Sequence, residues 1–124
     1  MTQYTILLVD DEQQVLDIAK RMIERIGYRV YAIARPDEAL SFYRANASDI
    51  DCVMLDLTMP QIGGFELLAA IREIRRDQPA ILCSGYADTS RDRGESSPLT
   101  TFLPKPYRLD DLRRVLALAV EQLE

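Results

Sequence analysis

The stretch Ile6-Leu7-Leu8-Val9-Asp10-Asp11 places two acidic residues directly after a short apolar run. The same arrangement recurs three times, where an apolar run of strand length ends at a polar residue. These runs are residues 52–55 before Asp56, residues 80–83 before Ser84 and residues 102–104 before Lys105. If the four runs are neighbouring parallel strands, their carboxyl ends meet at one edge of the sheet, where ligands of open α/β sheets bind. The pattern predicts that three carboxylates, one hydroxyl and one ammonium share a pocket.

Apolar runs alternate with segments of helical periodicity along the chain, which is typical of βαβ units around a parallel sheet. A further strand is predicted at residues 29–33, and its alternating polarity is expected at a sheet edge. Helices are predicted at about residues 12–26, from residue 36, at about residues 65–76 and from residue 109 onwards. In the first helix, the predicted core face consists of Val15, Ala19, Met22 and Ile26. Residues 87–98 lack an apolar stripe, so we expect a short or mobile fourth helix there.

Length and composition indicate one globular domain, residues 1–124, because 124 residues with 48% hydrophobic side chains suffice for one core. The net charge of -5 argues against nonspecific binding to nucleic acid or to an anionic membrane. No apolar stretch approaches the roughly 20 residues that span a bilayer, and the first residues do not resemble a signal peptide. We therefore expect a soluble, cytoplasmic protein with no direct contact to nucleic acid or membrane.

Cysteine and histidine usage narrows the chemistry further. Cys52 and Cys83 lie inside apolar runs, at a spacing that matches no zinc or redox motif, and are expected to be buried hydrophobic residues. The chain has no histidine, which removes the commonest general base and the commonest ligand of transition metals. Any metal bound here is therefore expected to be a hard cation that prefers oxygen.

The polar residues at the strand ends suit phosphoryl chemistry. An aspartate can attack phosphorus to form an acyl phosphate, but two anions at about 4 Å repel by about 4 kcal/mol at an effective dielectric near 20. A magnesium ion bound by Asp10, Asp11 and Asp56 offsets that repulsion. Lys105 is placed to neutralise one phosphoryl oxygen, and Ser84 to donate a hydrogen bond to another.

Four motifs together resemble the receiver domain of bacterial two-component response regulators over essentially the whole chain. They are Leu8-Val9-Asp10-Asp11-Glu12, Met54-Leu55-Asp56-Leu57-Thr58-Met59-Pro60 with Gly63-Gly64, Cys83-Ser84-Gly85 and Phe102-Leu103-Pro104-Lys105-Pro106. The resemblance implies a flavodoxin-like, doubly wound sheet of five parallel strands in the order 2-1-3-4-5, with five flanking helices. It also implies a cis peptide bond between Lys105 and Pro106.

The resemblance also implies roles for the site residues. Asp56 is the phosphoacceptor, and Mg²⁺ is bound by Asp10, Asp11, Asp56 and the backbone carbonyl of Thr58. Ser84 and Lys105 hold the phosphoryl group. Phosphorylation then moves Ser84, which lets Phe102 turn inward; a plain core aromatic is the alternative interpretation of Phe102.

The implied function is phosphorelay signalling. A sensor histidine kinase or a phosphotransfer protein donates the phosphoryl group, and the switched form regulates an unidentified protein partner. Such a receiver promotes its own phosphotransfer and dephosphorylation but is not an enzyme with a separate substrate. A homodimer is a further expectation, because Val115, Leu118 and Val120 widen the apolar face of the last helix; burial of these residues in the core is the alternative.

Three other functions remain open from the sequence. A receiver-like module that binds partners without phosphorylation is disfavoured by the intact acidic set. A flavodoxin-like cofactor protein is disfavoured by the acidic loop after the first strand. A hydrolase of the aspartyl-phosphate type lacks a second base in the motif. Whether the chain is a stand-alone regulator or part of a longer protein, such as a hybrid kinase, also stays open.

Overall fold

A five-stranded parallel sheet forms the centre of the computed structural model, which describes residues 3–85 and 99–121. The strand order is β2-β1-β3-β4-β5, and every neighbouring pair is parallel, which confirms the predicted topology. The strands are β1 (Thr5–Val9), β2 (Arg29–Ile33), β3 (Cys52–Asp56), β4 (Ala80–Ser84) and β5 (Thr100–Pro104). The bounds of each strand lie within a few residues of the predicted ones. Strand β2 lies at an edge of the sheet, as expected.

Four α-helices flank the sheet in the part of the chain that is described. They are α1 (Gln13–Ile26), α2 (Pro36–Asn46), α3 (Gly64–Ile74) and α4 (Leu109–Glu121), with a short 3₁₀ helix at Ala47–Asp49. The fourth helix predicted within residues 87–98 lies outside the described residues. Helix α1 ends at Gly27, whose φ of 124° suits glycine, and the Gly27 amide donates to the carbonyls of Ile23 and Glu24.

Two apolar clusters cover the two faces of the sheet. Alternate residues of β1 belong to different clusters: Ile6 and Leu8 pack with α1 and α4, and Leu7 and Val9 pack with α2 and α3. Every residue of β1, β3 and β4 is buried, because these strands are covered on both faces. This double coverage explains why they read as continuous apolar runs in the sequence.

The buried face of α1 differs in part from the predicted one. Leu16, Ala19 and Ile23 are buried, whereas Met22 and Ile26 are only partly buried at the margin of the core. Ala19 was therefore placed correctly, and Leu16 and Ile23 were missed. The reason is that the apolar stripe of α1 is wider than its buried face and includes the partly buried Val15 and the exposed Ile18, so periodicity alone does not identify the centre of the buried face.

The end of α3 also differs from the prediction. The helix ends at Ile74 because Arg75 has extended backbone angles (φ -140°, ψ 102°), and its guanidinium donates to the carbonyls of Ala47 and Ile50. One turn earlier, Arg72 donates to the carbonyls of Gln78 and Leu99 and to the Thr100 hydroxyl. These contacts connect α3 to the amino-terminal edge of the sheet.

The apolar face of α4 is mostly core. Val115 and Val120 are each 3% exposed, and Leu118 is 50% exposed. The burial alternative therefore holds for the two valines, and Leu118 alone of the three remains on the surface. No helix in the described ranges is both long and apolar enough to cross a bilayer.

An acidic pocket at the carboxyl edge of the sheet

Three carboxylates converge where β1 and β3 end. Asp10 directly follows β1, Asp11 follows Asp10, and Asp56 is the last residue of β3. Each offers an oxygen, and these oxygens lie within 4.8 Å of one another. Asp10 and Asp56 are buried, at 4% and 7% exposure, and Asp11 is exposed. The adjacent parallel strands β1 and β3 therefore bring residues far apart in sequence into one acidic cluster.

Lys105 lies between the two buried carboxylates. Its Nζ atom is 2.9 Å from Oδ2 of Asp10 and 3.2 Å from Oδ1 of Asp56. The other oxygen of Asp10, Oδ1, accepts a hydrogen bond of 3.0 Å from the backbone amide of Glu12. Asp10 is thus held on both sides, and Oδ2 of Asp56 accepts no side-chain hydrogen bond from residues 3–85 and 99–121.

The ionisation of these groups reflects burial and crowding. Burial raises the pKa of Asp56 above its ordinary value; the Lys105 charge opposes this change, and the Asp10 charge adds to it. Burial alone would lower the pKa of Lys105, but the hydrogen bond and charge of Asp10, followed by those of Asp56, raise it overall. The pocket therefore contains more negative charge than its one lysine balances, which favours a bound cation.

Ser84 ends β4 beside this cluster. It is 1% exposed, and its hydroxyl is a buried polar atom without a hydrogen-bond partner among the described residues. Its carbonyl accepts a 2.7 Å hydrogen bond from the Lys105 amide, so the ends of β4 and β5 are joined at the pocket. A buried hydroxyl without a hydrogen-bond partner lowers the stability of a fold. Its presence at this position is consistent with a binding site for a ligand.

The loops that follow β3 and β5 complete the pocket. The peptide bond between Lys105 and Pro106 is cis, as predicted. Thr58 lies with Glu12, Asp56, Gly85 and Lys105 around a cavity of about 290 Å³. The structure thus brings together Asp10, Asp11, Asp56, Ser84, Thr58 and Lys105.

Gly64, which lies just before the predicted helix 65–76, begins α3 and positions the backbone of Asp56. Its amide donates to the carbonyl of Leu57 at 3.1 Å. A Cβ atom at Gly64 would lie 2.6 Å from the carbonyl oxygen of Asp56, a distance that real contacts do not tolerate. The first turn of α3 therefore contacts the backbone of Asp56 directly. The Gly63-Gly64 pair was the sequence signal for this close approach.

An apolar groove lies beside the acidic pocket. A cavity of about 450 Å³ is bounded by α1 and by the segment after β5, and Lys105 contributes to both cavities. Its apolar lining includes Val15, Ile18, Met22 and Tyr107. Ile18 is 59% exposed, the largest value among the exposed large hydrophobic residues of the described chain. Val15 and Met22 were predicted to lie in the core, and no pattern in the sequence predicted this groove.

The family model of the response regulator receiver domain matches residues 6–117, which is most of the chain. The chain belongs to the response regulator receiver domain family. This assignment confirms the resemblance drawn from the four motifs, and it places the protein among the components of two-component signalling systems.

Curated relatives contain this receiver domain as one part of a longer protein. The sensor kinase CckA of Brucella abortus is 33% identical over 95% of this chain and 13% of its own length. The transcriptional regulatory protein YvrH of Bacillus subtilis is 32% identical over 86% of this chain and 45% of its own length. The receiver chain thus spans less than half of either relative.

Solved structures of receiver domains have the same fold. A receiver domain protein from Clostridium thermocellum superposes with a TM-score of 0.89 at 27% identity, covering 97% of this chain and 96% of the other. The receiver domain of the hybrid histidine kinase CckA superposes with a TM-score of 0.78 at 31% identity, covering 94% and 98%. The described fold is therefore that of a receiver domain.

Proposed function

We propose that this receiver accepts a phosphoryl group on Asp56 from a phosphohistidine and thereby regulates a protein partner. One observation carries the proposal above the others. Asp56 is a nearly buried carboxylate beside two further carboxylates, and Lys105 donates to one of its oxygens while no side chain of the described ranges donates to the other. A nucleophile, a cation for the incoming group and a set of metal ligands thus lie within one pocket.

The residues of the pocket divide the work of the transfer. A carboxylate oxygen of Asp56 forms a bond to phosphorus while the bond from phosphorus to the imidazole nitrogen of the donor breaks. The electron pair of that bond leaves with the imidazole. Lys105 balances charge on a phosphoryl oxygen, and the unpaired Ser84 hydroxyl donates a hydrogen bond to another. The product is an acyl phosphate on Asp56.

The acidic cluster suits Mg²⁺. Its ligands are all oxygens, which a hard cation of this size prefers, and Asp10, Asp11, Asp56 and the Thr58 carbonyl are the ligands that we propose. When bound, Mg²⁺ lowers the repulsion between the incoming phosphoryl group and the carboxylates. Asp10 contributes by keeping its position through the Glu12 amide and Lys105.

The phosphodonor is a separate protein in this proposal, since the chain contains no histidine. A sensor histidine kinase or a phosphotransfer protein fits this requirement. The apolar groove is a surface of suitable character for such a donor, because the exposed Ile18 lines it together with Lys105, which also contacts Asp56.

The output of the receiver is also part of the proposal. We propose a regulatory role without a separate substrate, with the residues 1–124 acting as one receiver unit in the cytoplasm. The relatives CckA and YvrH, named as a sensor kinase and a transcriptional regulator, illustrate two different settings for such a unit. Light scattering with and without beryllofluoride tests whether a homodimer forms through the surface near Leu118.

The decisive experiment is labelling with radioactive acetyl phosphate in the presence and absence of Mg²⁺. We expect a label that depends on Mg²⁺, is released by hydroxylamine as an acyl phosphate is, and is absent from Asp56→Asn. The matched control is Asp77→Asn, because this carboxylate lies on the surface outside the pocket and its side chain is 77% exposed. Labelling of Asp56→Asn at the wild-type level would place the acceptor elsewhere and remove the proposal, whereas a wild-type protein that takes no label would favour constitutive partner binding.

A further inference from the structure

Two aromatic side chains join the start of α3 to β5. The ring centroids of Phe65 and Phe102 are 6.2 Å apart, with an interplanar angle of 53°. Such tilted pairs are favourable beyond the area that they bury. Phe65 is 38% exposed, and Phe102 is partly buried against the core cluster on the α2 and α3 side of the sheet. Phe65 is thus a surface ring that covers a half-buried one.

The backbone beneath Phe65 is connected to the phosphoacceptor. The preceding residue, Gly64, donates its amide to the Leu57 carbonyl and approaches the Asp56 carbonyl so closely that no Cβ fits. The Leu57 amide in turn donates to the Cys83 carbonyl at 2.8 Å. A displacement of the backbone at Asp56 is therefore transmitted to Phe65 through direct contacts.

Phe102 lies on the same face of the sheet as Ser84. Phe102 pairs with Leu82, and Ser84 is two residues further along β4, so the alternation of side chains places Phe102 and Ser84 on one face. The Ser84 hydroxyl is buried and has no partner among the described residues, so no hydrogen bond within them must break if it moves toward a phosphoryl group. Phe102 therefore lies between two elements that are connected to the phosphoacceptor, the Ser84 end of β4 and the Phe65 end of α3.

We propose that Phe65 is a conformational gate that retains Phe102 against α3 in the unphosphorylated receiver. This inference rests on the proposed function and on the inward turn of Phe102 after phosphorylation that the family resemblance implies. In this proposal the aromatic pair is broken when Phe102 turns inward, so removal of the Phe65 ring shifts the equilibrium toward the switched state. An aromatic pair of this kind corresponds to a shift of about two- to tenfold in the ratio of the two states.

Fluorine NMR provides the test, because the chain has only three phenylalanines, Phe42, Phe65 and Phe102. Fluorophenylalanine labelling gives three resonances, and Phe102→Leu identifies that of Phe102. In Phe65→Ala, we expect the minor population of Phe102, measured from exchange without any ligand, to rise about two- to tenfold. The beryllofluoride concentration that half-converts the protein at fixed Mg²⁺ should fall by the same factor.

The control is Ile74→Ala, since Ile74 is 39% exposed at the other end of α3 and is similarly apolar. We expect wild-type values for Ile74→Ala and intermediate values for Phe65→Leu, which keeps bulk but not the ring. An unchanged Phe102 population in Phe65→Ala, or an equal change in Ile74→Ala, overturns the gate. If the proposed function is wrong, beryllofluoride will not convert the wild-type protein. In that case the exchange of Phe102 measured without ligand still tests whether Phe65 retains Phe102.

Discussion

The ammonium of Lys105 lies 2.9 Å from Oδ2 of Asp10, although 95 positions separate the two residues in the sequence. The same Nζ atom is 3.2 Å from Oδ1 of Asp56. One partly exposed cation therefore compensates two nearly buried anions. This imbalance of charge suits the pocket to a dication.

Removal of the Lys105 charge should destabilise the fold. In Lys105→Met, Asp10 and Asp56 remain buried without a cation, and we expect the free energy of unfolding in urea at pH 7 to fall by about 2 kcal/mol. That value is below the range for fully buried pairs because the Lys105 side chain is 23% exposed. Mg²⁺ should restore part of the loss.

Lys20 is the matched control for this prediction, since it is the only other lysine of the chain. It forms an exposed ion pair with Glu24, so Lys20→Met should cost no more than about 0.5 kcal/mol. Equal losses in the two variants would mean that Lys105 is not balancing buried charge.

The raised pKa of Asp56 predicts a pH-dependent gain in stability for Asp56→Asn. Because the folded-state pKa lies above the unfolded-state value, ionisation of Asp56 opposes folding, and its cost appears as pH rises through the folded pKa. At pH 7 without Mg²⁺, Asp56→Asn should therefore unfold with a free energy about 1 kcal/mol higher than wild type. Below the ordinary aspartate pKa, near pH 3, the difference should vanish.

Urea titrations of wild type and Asp56→Asn between pH 3 and pH 7 measure this difference, with the exposed Asp77→Asn as the control variant. A difference that is constant across this range would exclude charge as its cause. A difference that grows toward acid would reverse the sign that burial of Asp56 requires.

Much of the pocket was predictable because its residues lie at the ends of strands that are buried on both faces. Such strands read as apolar runs, and the polar residue after each run marks the carboxyl edge of the sheet. Contacts between distant segments were not predictable in this way. The bonds from Arg75 to Ala47 and Ile50 depend on side-chain directions that no local periodicity encodes, and the same holds for the contact between Phe65 and Phe102.

Replacement of Arg72 by lysine should destabilise the fold, because Arg72 connects α3 to the start of β5. Arg72 donates to the Gln78 and Leu99 carbonyls and to the Thr100 hydroxyl. A lysine has one nitrogen and cannot reach these acceptors together, so Arg72→Lys should lower the free energy of unfolding by about 1–3 kcal/mol. Arg76→Lys, at an exposed position four residues later, should stay within about 0.5 kcal/mol of wild type. Urea denaturation measures the free energy of unfolding of both variants. Equal losses would contradict the role of the Arg72 hydrogen bonds.

Gly64 should be intolerant of even a methyl group. The Cβ of Gly64→Ala would meet the Asp56 carbonyl at 2.6 Å, so α3 or the end of β3 must move. We expect a loss of about 1–3 kcal/mol in unfolding free energy and slower labelling by acetyl phosphate. A Cβ at Gly85 meets no atom of the described residues within 4 Å, so Gly85→Ala is the matched glycine control for stability. Wild-type stability and labelling in Gly64→Ala would show that the close approach is not needed.

The apolar groove can be separated from the chemistry of the pocket by comparing two phosphodonors. Acetyl phosphate is small and needs only the acidic pocket, whereas a phosphorylated histidine domain must also contact the surface around it. Ile18→Asp places a charge in the groove at a residue that is 59% exposed, so folding should be little affected. We expect at least tenfold slower transfer from the protein donor and unchanged labelling by acetyl phosphate.

The control is Ile74→Asp, because Ile74 is exposed at the opposite edge of the sheet from the pocket, and this variant should leave both rates unchanged. If Ile18→Asp slows both donors equally, the substitution disturbs the pocket itself; if it slows neither, the protein donor binds elsewhere on the receiver.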